Sequence, residues 1–200
     1  MARRGKPLIS QFFNRDRLAF TALAKCGHVS HEHLRSCGLV DKRIQNMVRD
    51  RHFEKVVYKQ NGKIKECYQL TKLGRQTASR LWQLERVYYA QSPAHDVALA
   101  DKYFSLPENL RDSWKSENEV RGQFQEQLRM MHEQDQEMQA KLYEDMLIRG
   151  LISMPDCVYT NENGLEIAFE IITGNYSEEE LRAKEALVEI MQYQYETTRI

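Results

Sequence analysis

The sequence predicts an α+β protein, mainly helical, in two parts. Three observations carry that prediction. Helix-type patterning dominates a chain of 200 residues that is 42% hydrophobic and 29% charged, a globular composition. β-type stretches interrupt it twice, each around an Asn-Gly pair, Asn61-Gly62 and Asn163-Gly164, the strongest short hairpin signal. A formal net charge of 0 conceals a split at Ser92–Pro93. Residues 1–92 carry 19 Lys/Arg against 7 Asp/Glu, a net +12, and residues 93–200 carry 10 against 22, a net −12. The expected domains are therefore 1–92 and 93–200.

Several classes are excluded. No apolar run approaches the roughly 20 residues a membrane-spanning helix needs. The start, MARRGKPLISQFF, lacks the apolar core of a signal peptide. The four cysteines, at 26, 37, 67 and 157, form no CxxC pair. That argues against a disulfide scaffold or zinc ribbon and fits a reducing cytoplasm.

In the basic half, Arg15 to Lys25 reads as a helix with Leu18, Phe20 and Leu23 inward, closed by Gly27. Ser30 is a suitable N-cap for a short second helix, with Val29 and Leu34 bracketing the cap and Gly38 ending it. Asp41 is expected to cap a third helix whose apolar face is Ile44, Met47 and Val48. Its other face carries Lys42, Arg43, Gln45, Asn46 and Arg49, side chains suited to phosphates and base edges. A hairpin follows, turning at Asn61-Gly62, with Lys59, Lys63 and Lys65 near its tip. Residues 71–90 then read as one long helix capped by Thr71.

Helix, helix, polar helix and hairpin in that order resembles a winged helix-turn-helix domain over about residues 15–90. That resemblance implies double-stranded DNA as partner, with Lys42–Arg49 in a major groove and the lysines of the hairpin on phosphates. Cys26, His28, His31, His33 and Cys37 lie close together, but their spacing matches no zinc-finger pattern, and the turn between the first two helices accounts for them. The stretch Leu81–Tyr89 reads either as core packing or as a dimer seam, and an added C-terminal helix of this kind favours a homodimer.

The acidic half begins with a helix from His95 to Phe104, broken at Leu106-Pro107. Asn109 to Leu128 carries the apolar series Trp114, Val120, Phe124 and Leu128, and Met131 to Arg149 is helical in composition up to Gly150. SMPDCVYT and LEIAFEIIT read as two strands, and Ser177 caps a helix running to Tyr195 with three glutamates in its first turn. A mainly acidic surface also suits contact with a protein partner.

Asp156 precedes the first strand of this hairpin, and Glu166 and Glu170 share one face of the second. Carboxylates on neighbouring strands suit a hard divalent cation, Mg2+ or Mn2+. The arrangement resembles the PD-(D/E)xK nuclease core. The resemblance implies Asp156 and Glu170 as catalytic acids and metal ligands, with Glu117 or Glu119 as a further upstream ligand, Glu119 the one taken as ligand. The lysine expected two residues after the second acid is missing: Ile172 follows Glu170 and Ala168 follows Glu166. Lys184 on the next helix is the substitute. Only Glu196 to Ile200 remain for a closing strand, which reads as too few. The balance leans away from an enzyme.

The winged helix, the His95 helix, Trp114 to Glu119, Pro155-Asp156, Phe169-Glu170, Tyr176, and the helix with Lys184 and Tyr193 together resemble the replication-relaxation family. That resemblance implies a DNA-binding regulator or a replication or transfer accessory factor of a plasmid or other mobile element, nucleoid-associated in a bacterial cytoplasm. A nuclease-like second domain, reduced and degenerate, would then serve dimerisation or partner contact. A metal-dependent nuclease using Asp156, Glu166 or Glu170, and Lys184 is the competing expectation.

Overall fold

A computed structural model describes residues 6–85, 87–90, 92–174 and 176–200. The first five residues of the N-terminal stretch, Arg86 within the 81–89 stretch, Gln91 and Asn175 lie outside the described residues. The fold is α+β and divides into two compact units, Met1–Ser105 and Leu106–Ile200. The boundary therefore falls one helix later than the Ser92–Pro93 break. The charge asymmetry survives: residues 1–105 hold 20 Lys/Arg and 9 Asp/Glu, and residues 106–200 hold 9 and 20.

The first unit opens with α1 (Asn14–Cys26), α2 (His31–Ser36) and α3 (Asp41–Arg49). Ser30 caps α2, its hydroxyl accepting from the His33 N–H. Asp41 is the first residue of α3 rather than its cap, and Val40 holds the extended cap position. β1 (Phe53–Gln60) and β2 (Lys63–Leu70) pair antiparallel, Phe53 opposite Leu70 and Gln60 opposite Lys63. Asn61 and Gly62 both take positive φ, as a type I′ turn demands. Between α1 and α2, Val29 adds a one-residue bridge, exchanging backbone hydrogen bonds of 3.0 and 2.8 Å with Tyr68. The hairpin root is thereby stitched to the helices.

The core of this unit is aromatic: Phe20 lies 5.0 Å from Phe53 and 4.9 Å from Trp82, ring centroid to centroid. α4 (Lys72–Trp82) closes over it, capped by Thr71. The long helix expected over residues 71–90 stops at Trp82, where Gln83 turns left-handed at φ 57. Beyond it, Tyr88 returns its N–H to Ala24 of α1 at 2.7 Å and is buried, while Tyr89 is exposed. The described residues of this stretch, 83–85 and 87–90, are thus irregular, and the helix expected to run through Leu81–Tyr89 as a dimer seam ends at Trp82. α5 (Pro93–Ser105) completes the unit, packing on α1, α2 and β1.

The second unit contains α6 (Glu108–Arg111), β3 (Lys115–Ser116), α7 (Glu117–Glu133), α8 (Glu137–Ile148), β4 (Cys157–Thr160), β5 (Glu166–Ile172), α9 (Glu178–Met191) and β6 (Gln194–Arg199). The single helical stretch expected over Met131–Arg149 is two helices, because Asp135 takes φ 58 and breaks the ladder. The closing strand expected to be too short is present. α9 ends early at left-handed Gln192, and Tyr193 donates its N–H to Val188 O, freeing Gln194–Arg199 to extend. Tyr195, Thr197 and Thr198 suit a strand.

The sheet runs β3-β4-β5-β6, antiparallel except for the last pair. β6 lies parallel to β5, with Ile167 opposite Gln194 and Ile172 opposite Arg199, and α9 makes the crossover that a parallel pair requires. Val120, Phe124, Leu128 and Met131 line one stripe of α7 and pack with Val158 and Ala168 of the sheet and Leu187 and Val188 of α9.

Candidate functional site

The basic unit presents α3 with two unlike faces. Ile44 and Met47 are buried, and Lys42, Gln45 and Arg49 are exposed, with Asn46 half-buried. At three- to four-residue spacing, Lys42, Gln45 and Arg49 fall on one outward stripe. Arg43 does not join them. Its Nε and Nη2 donate to Asp16 Oδ1 and Oδ2 at 3.0 and 2.7 Å, and Nη2 also donates to Gln11 O at 2.7 Å. Asp16 is fully buried and also accepts the Phe13 N–H at 2.7 Å, closing the first turn of α1. Arg43 is a fold-holding residue that the sequence pattern grouped with those expected to face DNA. Asp16 three residues past Phe13, on the first turn of a helix, was the available signal for a capping acid.

On the hairpin, Lys59, Lys63 and Lys65 are all exposed, Lys65 Nζ donating to Gln60 Oε1 at 2.8 Å. Histidines behind the helices are structural. His28 Nδ1 and His95 Nδ1 flank the buried Asp96 at 2.8 and 3.2 Å, and His33 Nε2 lies 3.0 Å from Asp101 with its ring stacked on Phe104. The close set of Cys26, His28, His31, His33 and Cys37 is thus taken into ion pairs and core. Burial raises the Cys26 thiol pKa well above the ordinary value, a thiol poorly suited to thiolate chemistry.

In the acidic unit the strand register brings Asp156 and Glu170 together. Pro155 has no N–H to give, so β4 begins after it, and Asp156 falls opposite Glu170. Each carboxylate satisfies the other strand: Asp156 Oδ2 accepts the Ile171 N–H at 2.8 Å, and Glu170 Oε2 accepts the Asp156 N–H at 3.0 Å. Lys184 does reach the pair. Its Nζ lies 2.6 Å from Glu170 Oε1 and donates to Met154 O at 2.9 Å. The Tyr176 hydroxyl donates to the same Oε1 at 2.6 Å. Tyr176, Ser177 and Lys184 also border a cleft of about 770 Å³ at the start of α9.

Burial, then the Asp156 charge, raises the Glu170 pKa, while Lys184 and Tyr176 oppose the rise. Burial and the Glu170 contact push the Tyr176 hydroxyl up.

The other expected ligands are elsewhere. Glu119 caps α7, its Oε2 accepting from Ser116 N and Oγ at 2.8 and 2.9 Å. Glu117 pairs with Arg121 at 2.9 Å. Glu166 pairs with Lys115 at 2.6 Å and stands four residues, about 13 Å, along β5 from Glu170. Among the described residues no three His, Cys, Asp or Glu side chains group closely enough to hold a metal ion. Both Glu170 oxygens and one of Asp156 already accept hydrogen bonds, and an ammonium occupies the place beside Glu170 where a cation would bind. As folded, Glu119, Asp156 and Glu170 do not fit Mg2+ or Mn2+.

Comparison of the chain with family models, with curated proteins and with solved structures found no match. No helix among the described residues is long and apolar enough to cross a membrane.

Proposed function

We propose that the chain is a sequence-specific double-stranded DNA-binding protein that acts through a winged helix-turn-helix in its first unit. One observation carries the proposal. α3 buries Ile44 and Met47 and turns Lys42, Gln45 and Arg49 outward, directly before a basic hairpin whose root is backbone-paired to Val29 between the first two helices. A helix so displayed can enter a major groove about 12 Å wide, where Gln reads adenine edges and Arg reads guanine edges. The net positive charge of residues 1–105 supplies attraction to phosphates.

The context, regulation or an accessory role in replication or transfer of a mobile element, rests on the family resemblance. In that context the second unit serves dimerisation or contact with a protein partner. The nuclease alternative has less support, since Asp156, Glu170 and Lys184 spend their polar atoms on one another and on the backbone.

Selection of random duplexes by the purified chain tests the proposal. Enrichment of a shared site, lost in Gln45→Ala with Arg49→Ala, is expected. Absence of duplex binding at low salt overturns it.

A further inference from the structure

The second unit leaves backbone unused along the outer edge of β6. β6 ends the sheet order, with β5 on one side and no strand on the other. The Ile200 N–H donates to Ile172 O at 3.1 Å, so residue 200, and with it 198, 196 and 194, aims its backbone polar groups at β5. Tyr195, Thr197 and Arg199 aim theirs away. Among the described residues nothing pairs with the N–H or C=O of those three. Thr197, Thr198 and Arg199 are exposed. A bare edge is normally blunted by lysine, proline or a bulge. β6 has none of these: its sequence is QYETTR, and its register with β5 runs unbroken from Gln194 to Arg199. Residues 106–200 hold 9 Lys/Arg against 20 Asp/Glu, yet this strand carries one of each, Arg199 and Glu196.

The edge is self-complementary. Its outward residues, 195, 197 and 199, are spaced evenly about Thr197. A second copy of β6, run antiparallel about a two-fold axis at Thr197, meets Thr197 with Thr197 and Tyr195 with Arg199. Every outward N–H and C=O then finds a partner. An axis one residue to either side puts inward-turned groups at the seam. An axis at Arg199 sets arginine against arginine, and one at Tyr195 runs off the strand. The side chains agree with the backbone. The register sets a guanidinium beside the Tyr195 ring, which packs on the core of its own copy, and Thr198 beside Glu196. The Glu196 carboxylate accepts from the Tyr159 hydroxyl at 2.7 Å, which draws it across its own sheet and away from the seam.

We propose that the chain forms a homodimer by antiparallel pairing of β6 with β6 of a second copy, about a two-fold axis at Thr197. Two four-stranded sheets thereby become one of eight strands. This inference rests on the dimerisation role proposed above for the second unit, gives that role a surface, and does not depend on DNA binding.

The test uses the full chain without DNA. Sedimentation of the wild type at rising concentration is expected to show a monomer–dimer equilibrium. Hydrogen-bonded antiparallel partners have Cα atoms about 5.5 Å apart, within disulfide reach, whereas Thr198 and its counterpart across the seam stand about 8 Å apart, beyond it. The native cysteines, at 26, 37, 67 and 157, are all buried. Thr197→Cys is therefore expected to cross-link under mild oxidation, and Thr198→Cys is not. Thr197→Lys and Thr197→Glu are each expected to be monomeric, with the fold intact by circular dichroism, and an equal mixture of the two is expected to dimerise again. Wild type that stays monomeric up to about 100 μM overturns the proposal. A dimer that persists in both charged variants overturns it too, as does a mixture that stays monomeric or cross-linking of Thr198→Cys as ready as that of Thr197→Cys. Each of these leaves the DNA reading standing, because no duplex is present, and failure to bind duplex leaves the β6 seam standing.

Discussion

Arg43 grips Asp16 with two nitrogens, Nε to Oδ1 at 3.0 Å and Nη2 to Oδ2 at 2.7 Å, across the join between α3 and α1. The carboxylate is fully buried, and the guanidinium beside it is largely buried too. A flat, two-pronged contact of this kind suits arginine and not lysine. Arg43→Ala strands the buried acid and is expected to cost about 3–5 kcal/mol of stability. Arg43→Lys is expected to recover only part of it. Lys42→Ala, on the exposed stripe one residue away, is expected to stay within about 0.5 kcal/mol of wild type. Urea denaturation followed by Trp82 fluorescence, with Trp114→Phe as background, separates the two. Equal stability of Arg43→Ala and wild type would contradict the assignment.

Lys184 and Glu170 form the corresponding pair in the second unit, where Trp114 is the fluorescent reporter. Lys184→Met leaves the Glu170 carboxylate buried without the cation that lies 2.6 Å from it, and is expected to destabilise by about 3–5 kcal/mol. Combining it with Glu170→Gln removes the stranded charge and is expected to regain much of the loss. Additive losses in the double variant would show that the two side chains do not act as a pair.

Gly74 in α4 has no room for a side chain, since a Cβ there would meet His52 O at 2.1 Å. The close approach lets Thr71 cap α4 while its own N–H reaches His52 O at 3.1 Å. Gly74→Ala is expected to cost about 1–3 kcal/mol by forcing the helix off the hairpin root. An unchanged melting temperature would show that the helix shifts freely.

Burial lowers the pKa of His52 from its ordinary 6.5, the ring lying 5.4 Å from Phe12 and 6.0 Å from Phe20. A base with a depressed folded-state pKa binds fewer protons folded than unfolded, so stability rises with pH through the window below 6.5. The stabilisation is present above that value and fades as pH falls toward the folded-state pKa. His52→Gln is expected to flatten this part of the stability–pH curve. A slope identical to wild type between about pH 5 and 6.5 would assign the acid sensitivity to other groups.

Local signals in the sequence were strong where chemistry is local. Ser30, Thr71 and Ser177 cap the helices they precede, and the Asn61-Gly62 turn sits where the alternation changes strand. Signals failed where non-glycine residues take positive φ at the ends of helices. Gln83, Asp135 and Gln192 each end or break a helix that composition would continue, and no glycine marks them. That is why the dimer helix was expected and β6 was not. At the sites, strand register put Asp156 beside Glu170 as the pattern implied, but the partners of each oxygen are tertiary. Arg43 could not be separated from Lys42 and Arg49 by charge or period, because only the fold brings Asp16 to it.

We propose that α3 and the hairpin bind duplex DNA through their exposed cations. The most direct measurement is the slope of log affinity against log salt for the full chain on its selected duplex. Each phosphate contact contributes about −0.9 to that slope. Lys42→Ala with Arg49→Ala, and separately Lys59→Ala with Lys63→Ala, are each expected to weaken binding and to reduce the slope by about two contacts, with folding intact. A slope near zero, or slopes unchanged in both variants, would contradict the account.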